Sequence, residues 1–260
     1  MATTARKTDS RGPAVEVYML GTLDFDVALA LQQRLVYELS GRNDGQIALL
    51  ICEHPNLITI GRQGSRDHIR LSDRGLARRQ VALRWVNRGG GCLLHTPGQL
   101  ALYPIVPLAW YGLSVGEYLQ RLQSGMLQAL AELRVTSHTR PGRHGIWGRG
   151  GQLAVFGAAV KHWTTYYGAY LNVRPATGIF PYVDSDPVDH TPMSSLSAQR
   201  QRPLSISAVR SALVPHLSAA FGCQRYHLYS GHPLLTWARG ACRGRDAVAR
   251  DRQTASRRAG

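Results

Sequence analysis

The sequence predicts an α+β fold built on a mixed sheet, and three observations carry that expectation. Strand-like and helix-like apolar patterns interleave irregularly along the 260 residues, which argues against the regular alternation of a doubly wound parallel sheet. The continuous apolar runs are strand-sized, as at Ile47 to Cys52, and none approaches the roughly 20 residues of a membrane helix. With 44% hydrophobic and 18% charged residues, the chain can bury one core of ordinary domain size and is not disordered throughout.

The elements follow in order. A polar start, residues 1–13, is expected to be disordered, and it lacks the apolar run of a secretory signal, so a cytoplasmic location is expected. Ala14 to Leu20 has strand character and ends at Gly21. Phe25 to Leu39 places Ala28, Leu31, Leu35 and Leu39 at helical spacing, and Ser40 to Gly45 stops it. Ile47 to Cys52 and Val81 to Val86 are short strands, the first ended by Glu53-His54-Pro55 and the second by Asn87-Arg88-Gly89-Gly90-Gly91. Val115 to Leu133 shows the next helical period, through Tyr118, Leu122, Met126 and Leu130. Gln152 to His162 and Tyr166 to Val173 read as paired strands. A last amphipathic helix is expected over Ile206 to Phe221, capped by Ser205. The domain therefore spans 14–237, and 238–260 is expected to be a disordered, arginine-rich tail.

Composition narrows the function classes. The four cysteines form no C-x-x-C pair, so neither a disulfide scaffold nor structural zinc is expected. No G-x-G-x-x-G follows a strand, so a dinucleotide site has no support. The formal charge of +15 raises nucleic acid as a partner. Of the 31 basic residues only Lys7 and Lys161 are lysine, and seven arginines lie between Arg239 and Arg258. That distribution reads as a compositional bias plus a charged tail, and makes nucleic acid the weaker expectation.

The segment from Arg88 to Leu100 carries the most unusual chemistry. Gly89, Gly90 and Gly91 let a ligand or another backbone approach the main chain closely, beside the Arg88 cation and the His95 imidazole. Alone, such a segment is as consistent with a structural turn, and His54 beside Pro55 with a hydrogen-bonded structural histidine.

Their joint order is more specific. Cys52 to Arg62 resembles the E-H-P-x-x-x-T-x-G-R segment of the octanoyltransferases of lipoate biosynthesis, and Arg88 to Leu100 resembles their R-G-G-x-x-x-x-H-G-P-G-Q-L, with Tyr103-Pro104-Ile105 following. Gly145-Ile146-Trp147, Phe156-Gly157, Leu171-Asn172 and Ser195-Leu196-Ser197 keep the family's order and spacing, so the resemblance spans Val15 to Leu217. It implies the fold shared with biotin and lipoate protein ligases, a tunnel for a medium-length acyl chain, no cofactor, and acyl carrier protein and lipoyl-domain proteins as partners. It also implies a pocket wall of Arg88, Gly89, Gly90 and His95, with Val155, Phe156 and Gly157, and with Gly168, Ala169 and Tyr170.

The family's catalytic pair is where the chain departs from the pattern. A family lysine lies five residues before the glycine matched by Gly157, which here is Gln152; the nucleophilic cysteine lies fourteen after the asparagine matched by Asn172, which here is Asp186. Counting back ten from Leu196 also reaches Asp186. Thr96 replaces a glycine before Pro97. A carboxylate attacking a thioester gives a mixed anhydride uphill of its source, and an amide neither shuttles protons nor carries charge. The covalent route is therefore expected to be absent. Cys92 is the best-placed substitute nucleophile, against the commoner role of a buried structural thiol. The two expectations are an acyl-handling enzyme of altered chemistry and a non-catalytic relative that binds an acylated carrier or lipoyl domain.

Overall fold

A computed structural model describes residues 13–185, 191–200 and 204–235. The expected disordered termini lie outside the described residues, apart from Pro13. The strands are β1 (Ala14–Thr22), β2 (Ile47–Glu53), β3 (Leu57–Ile60), β4 (Ala82–Trp85), β5 (Cys92–His95), β6 (Gln99–Ile105), β7 (Gly145–Gly148), β8 (Gly151–Lys161), β9 (Thr164–Asn172) and β10 (Arg225–Ser230). The helices are α1 (Phe25–Ser40), α2 (Asp73–Arg78), α3 (Leu108–Tyr111), α4 (Val115–Glu132), α5 (Leu196–Gln199) and α6 (Ile206–Ala220).

Seven strands make the main sheet, in the order β10-β1-β2-β6-β9-β8-β7, and three make a small one, β4-β3-β5. The main sheet is mixed: β1 is parallel to both β10 and β2, whereas β2–β6, β6–β9, β9–β8 and β8–β7 are antiparallel. Both faces are covered, so β2 from Ile47 to Cys52 and β6 from Leu100 to Ile105 are apolar instead of alternating. One face packs Val17, Leu49 and Leu102 against α4 and α6 through Leu122, Met126 and Leu213. The other packs Leu50, Tyr103 and Tyr170 against α1 and the inner face of the small sheet through Leu31, Leu35, Leu57 and Leu93. A third cluster on the outer face of the small sheet joins Ile58, Ile60, Cys92 and Leu94 to Phe180 and Val183.

Helix ends follow local chemistry. Asp24 caps α1 by accepting from Asp26 N and Val27 N; Ser205, the cap expected from the sequence, accepts from Ala208 N at α6. At α4, Ser114 and Glu117 form a reciprocal capping box. The third expected strand, Val81 to Val86, forms but is largely exposed at the edge of the small sheet. No described helix is long and apolar enough to cross a membrane.

Candidate acyl-transfer site

The site is built where the small sheet meets β8 and β9. Arg88 leaves β4 and turns its guanidinium inward, 1% exposed. Its Nη2 donates to Thr59 O (3.0 Å) and Thr59 Oγ1 (2.7 Å), and its Nη1 to Gly89 O (3.0 Å). No described carboxylate pairs with it, and burial pulls its pKa down. The cation therefore pins the glycine segment to β3.

Thr59 also contacts His95, with Oγ1 at 3.0 Å from Nε2. Because Thr59 Oγ1 accepts from Arg88, its own hydrogen is available to Nε2, which assigns the His95 proton to Nδ1. That Nδ1–H has no well-aligned acceptor among the described residues, with the Gln99 side chain the polar group acting on the ring. The ring stands edge-on to Tyr170, centroids 4.8 Å apart. Burial, with His54 and Arg88 adding repulsion, holds the His95 pKa well below the usual value. His54 is a hydrogen-bonded structural residue: Nδ1 donates to Leu23 O at 2.6 Å, and Nε2 accepts from Tyr103 at 2.7 Å. Its pKa is lowered mainly by burial, against the Leu23 carbonyl.

Both depressions tie stability to pH. The unfolded chain binds protons near pH 6.5 that the folded chain refuses, so stability is complete above that value and falls as the pH drops below it. Each histidine held neutral contributes a slope of about 1.4 kcal/mol per pH unit. The urea midpoint is expected to fall between about pH 7.5 and about pH 5.5, and less steeply in His95→Asn. An unchanged slope in that variant would remove His95 from the account.

The glycines admit backbone here. Gly89 N donates to Ala158 O at 3.0 Å, and a Cβ on Gly157 would lie 2.8 Å from Gly89 O. The wall Val155 to Gly157 and the segment Gly89 to Gly90 are thus in main-chain contact, with Gly90 at φ +84°. Across the strand pair, Gly168 faces Gly157, and Ala169 and Tyr170 continue β9. The preceding Tyr167 sits at φ 56°, its N–H diverted from the sheet to Gln32 Oε1 of α1 at 2.7 Å. A positive φ at a non-glycine residue is a local backbone strain beside the site, within an unbroken β8–β9 register.

Gln152 opens β8, 6% exposed, opposite Trp147. Its Nε2 fills the room left by Gly145, where a Cβ would meet it at 2.5 Å. Its N donates to Pro192 O at 2.9 Å, and its O accepts from Ser194 N at 2.8 Å. Arg140 lies 5.0 Å from the Trp147 ring centroid and donates to Thr191 Oγ1 at 2.9 Å. Asp186 lies outside the described residues. The chain reaches it from Ser185, whose O is 3.0 Å from where a Gly91 Cβ would be, and returns beside Gln152 at Pro192. A cleft of about 350 Å³, with Phe180, Val183, Pro192 and Met193 in its wall, flanks the same two segments.

Cys92 faces away from His95, toward the cluster that holds the cleft residues Phe180 and Val183. Along β5, Leu93 and His95 face the main sheet, whereas Cys92 and Leu94 belong to the outer cluster. Its Sγ contacts Ser65 O at 3.2 Å, and burial raises its pKa despite Arg88 nearby. Sequence reasoning gave Thr59 no role, although it is the threonine of the E-H-P-x-x-x-T-x-G-R segment, and it missed Arg140, for which no motif pointed the way.

Fold and motif order together define one class of protein. A family model described as the lipoyl protein ligase A/B catalytic domain matches residues 24–218. The octanoyltransferase of Geobacter metallireducens is 36% identical over 194 residues, covering 75% of this chain and 87% of its own. That of Chloroflexus aggregans is 33% identical, covering 79% and 94%. The chain belongs to the octanoyltransferase family. Its fold is also that of a lipoate-protein ligase A solved with ATP (TM-score 0.68, 12% identity, 84% of this chain and 90% of that one). A bipartite lipoate protein ligase from Thermoplasma acidophilum, from a study that included its E2 lipoyl domain, is similar (TM-score 0.66, 13% identity, 84% and 88%).

Proposed function

We propose that this protein handles an octanoyl or lipoyl group in protein lipoylation, between acyl carrier protein and a lipoyl-domain lysine, without the family's covalent cysteine route. The observation that carries the reading is Gln152. A buried neutral amide, held by Gly145 and by the strand-like Pro192 to Ser194, occupies the position matched to the family lysine. It supplies no charge to lower a thiol pKa and no proton to a leaving group. Asp186 supplies no thiol.

What remains is suited to holding an acyl thioester. The His95 Nδ1–H and the buried Arg88 offer hydrogen-bond donation and positive potential in a desolvated layer, where a carbonyl gains most from both. A separate cleft beside residues 180–185 and 191–193, on the side of the small sheet away from His95, has an apolar wall and a volume in the size range of small-molecule sites. Direct attack by an acceptor lysine is compatible with these groups, though a carboxylate at 186 favours the ammonium form of that lysine. The same features serve a non-catalytic relative that binds an acylated carrier.

Intact mass spectrometry after incubation with octanoyl-acyl carrier protein tests the reading. No acyl adduct is expected on the protein, and a stable adduct on Cys92 would overturn the loss of the covalent route. Appearance of octanoyl on an added lipoyl domain, with no adduct on this protein, would select the enzyme over the binding relative.

A further inference from the structure

A cavity of about 640 Å³ opens at the edge of the main sheet opposite to the acyl-transfer site. It lies between the C-terminal end of β1, the turn at residues 230–232 and the first two turns of α6. β2 and β6 stand between β1 and β9 in the sheet. α6 packs on the sheet face opposite to the one that holds Leu93 and Tyr170, so the cavity is a separate place in the fold.

Every polar side chain among the described lining residues can donate a hydrogen bond, and none is acidic. Ser207, Arg210 and Ser211 fall at i, i+3 and i+4 on α6, so one helix face turns all three to the cavity, next to the positive end of the helix dipole. Arg210 makes no hydrogen bond or ion pair among the described residues. Ser230 and His232 enter from the other side, on a turn that Gly231 N ties to β1 by donating to Met19 O at 2.9 Å. His232 is 7% exposed and packs on Tyr18, ring centroids 4.6 Å apart. Its Nδ1 accepts from Leu234 N at 3.2 Å, which puts the proton of the neutral ring on Nε2, and that N–H has no acceptor among the described residues. Burial lowers the His232 pKa, against the pull of Glu38 and Glu16, and so favours this neutral form. Both carboxylates are engaged away from the cavity, Glu16 with the Tyr18 hydroxyl at 2.7 Å and Glu38 with Arg34 at 2.6 Å. A buried donor without a partner is costly, and a ligand oxygen would remove that cost.

We propose that this cavity binds the phosphate group of a small molecule. Donors converging from α6 and from the 230–232 turn suit the three oxygens of a tetrahedral phosphate better than the two coplanar oxygens of a carboxylate, and the guanidinium supplies the charge-assisted bond. Met19, Leu20 and Leu235 complete the wall, and a volume in the range of small-molecule sites leaves room for an organic body against them.

Calorimetric titration of the full chain with phenyl phosphate, inorganic phosphate and acetate, all at one ionic strength, tests the site. Phenyl phosphate is expected to bind most tightly, inorganic phosphate more weakly, and acetate not measurably. Arg210→Gln should weaken phosphate binding by roughly tenfold or more, through loss of a charge-assisted hydrogen bond. His232→Phe keeps the packing on Tyr18, removes the Nε2–H and should weaken binding severalfold. Thermal denaturation checks the fold of each variant, and Arg210→Gln, which loses no contact with a described residue, decides the matter if His232→Phe does not fold. Arg74→Gln removes the same charge from α2, outside the cavity, and should leave binding unchanged. Inorganic phosphate binding as tightly as phenyl phosphate, and lost in Arg210→Gln, supports the site with the free ion as its ligand. Equal affinity for acetate, or an equal loss in Arg74→Gln, reduces the binding to general attraction of anions by a basic chain and overturns the proposal. So does the absence of saturable phosphate binding, or binding that survives Arg210→Gln. Binding of a short DNA duplex alone, weakened by Arg210→Gln, assigns the arginine to nucleic acid and overturns it as well.

Discussion

Gly157→Val should cost about 3 kcal/mol or more of stability, enough to leave much of the protein unfolded, because the new side chain has no room and its neighbour has no freedom to yield. A Cβ there already stands 2.8 Å from Gly89 O. That carbonyl is fixed on two sides, by Arg88 Nη1 and by the bond from Gly89 N to Ala158 O. Moving the segment breaks the Arg88–Thr59 contacts and strands a buried cation. Gly178→Val is the comparison, since a Cβ at that exposed position meets nothing within 4 Å. Urea denaturation should separate the two by the full difference; equal midpoints would mean that the glycine segment is not locked against β8.

Under the proposed function, a cysteine at 186 and a lysine at 152 should change activity as strongly as that glycine changes stability. Asp186→Cys alone supplies a thiol that remains mostly protonated at neutral pH, because its pKa stays near the free value of about 8.5. Gln152→Lys adds the cation, and the double variant should transfer octanoyl to a lipoyl domain roughly tenfold faster than the single one, for about a unit of pKa. The lysine must take the room beside Gly145 now filled by the glutamine amide. If the single variant is already as fast as the double, the positive charge comes from another group. Arg140, stacked on the cross-strand neighbour of Gln152, would be the first to remove.

How much of this was legible in the sequence depends on whether local pattern or tertiary packing decided the matter. The long helices α1, α4 and α6 and the strands β1, β2, β8 and β9 were readable because each carries its own apolar period or run, and their caps obeyed local chemistry. The edge strand β10 was not, because Arg225 to Ser230 is largely exposed and its place is set by pairing with β1. β5 was hidden inside the glycine segment: Cys92 to His95 reads as a loop until β3 supplies the opposite strand. For the site, residue order singled out Arg88, His95 and Gln152 as candidates. It did not show that the glycines accommodate strand β8, nor that Cys92 and His95 face opposite ways. Both facts depend on which surface of the small sheet meets the large one.

The pairing of β10 with β1 also constrains how the chain is made. β1 and β2 are complete within the first 53 residues, yet the outer edge of β1 meets its partner only at residues 225–230. At typical rates of synthesis the ribosome needs roughly ten seconds or more to cover that interval. During that time the N-terminal strand presents a row of unpaired amides and carbonyls to any neighbouring chain. The last described strand is therefore a clasp on the first. Early release, or truncation before Arg225, leaves a nearly complete domain with a sticky margin, so this protein's most vulnerable moment falls during its own translation.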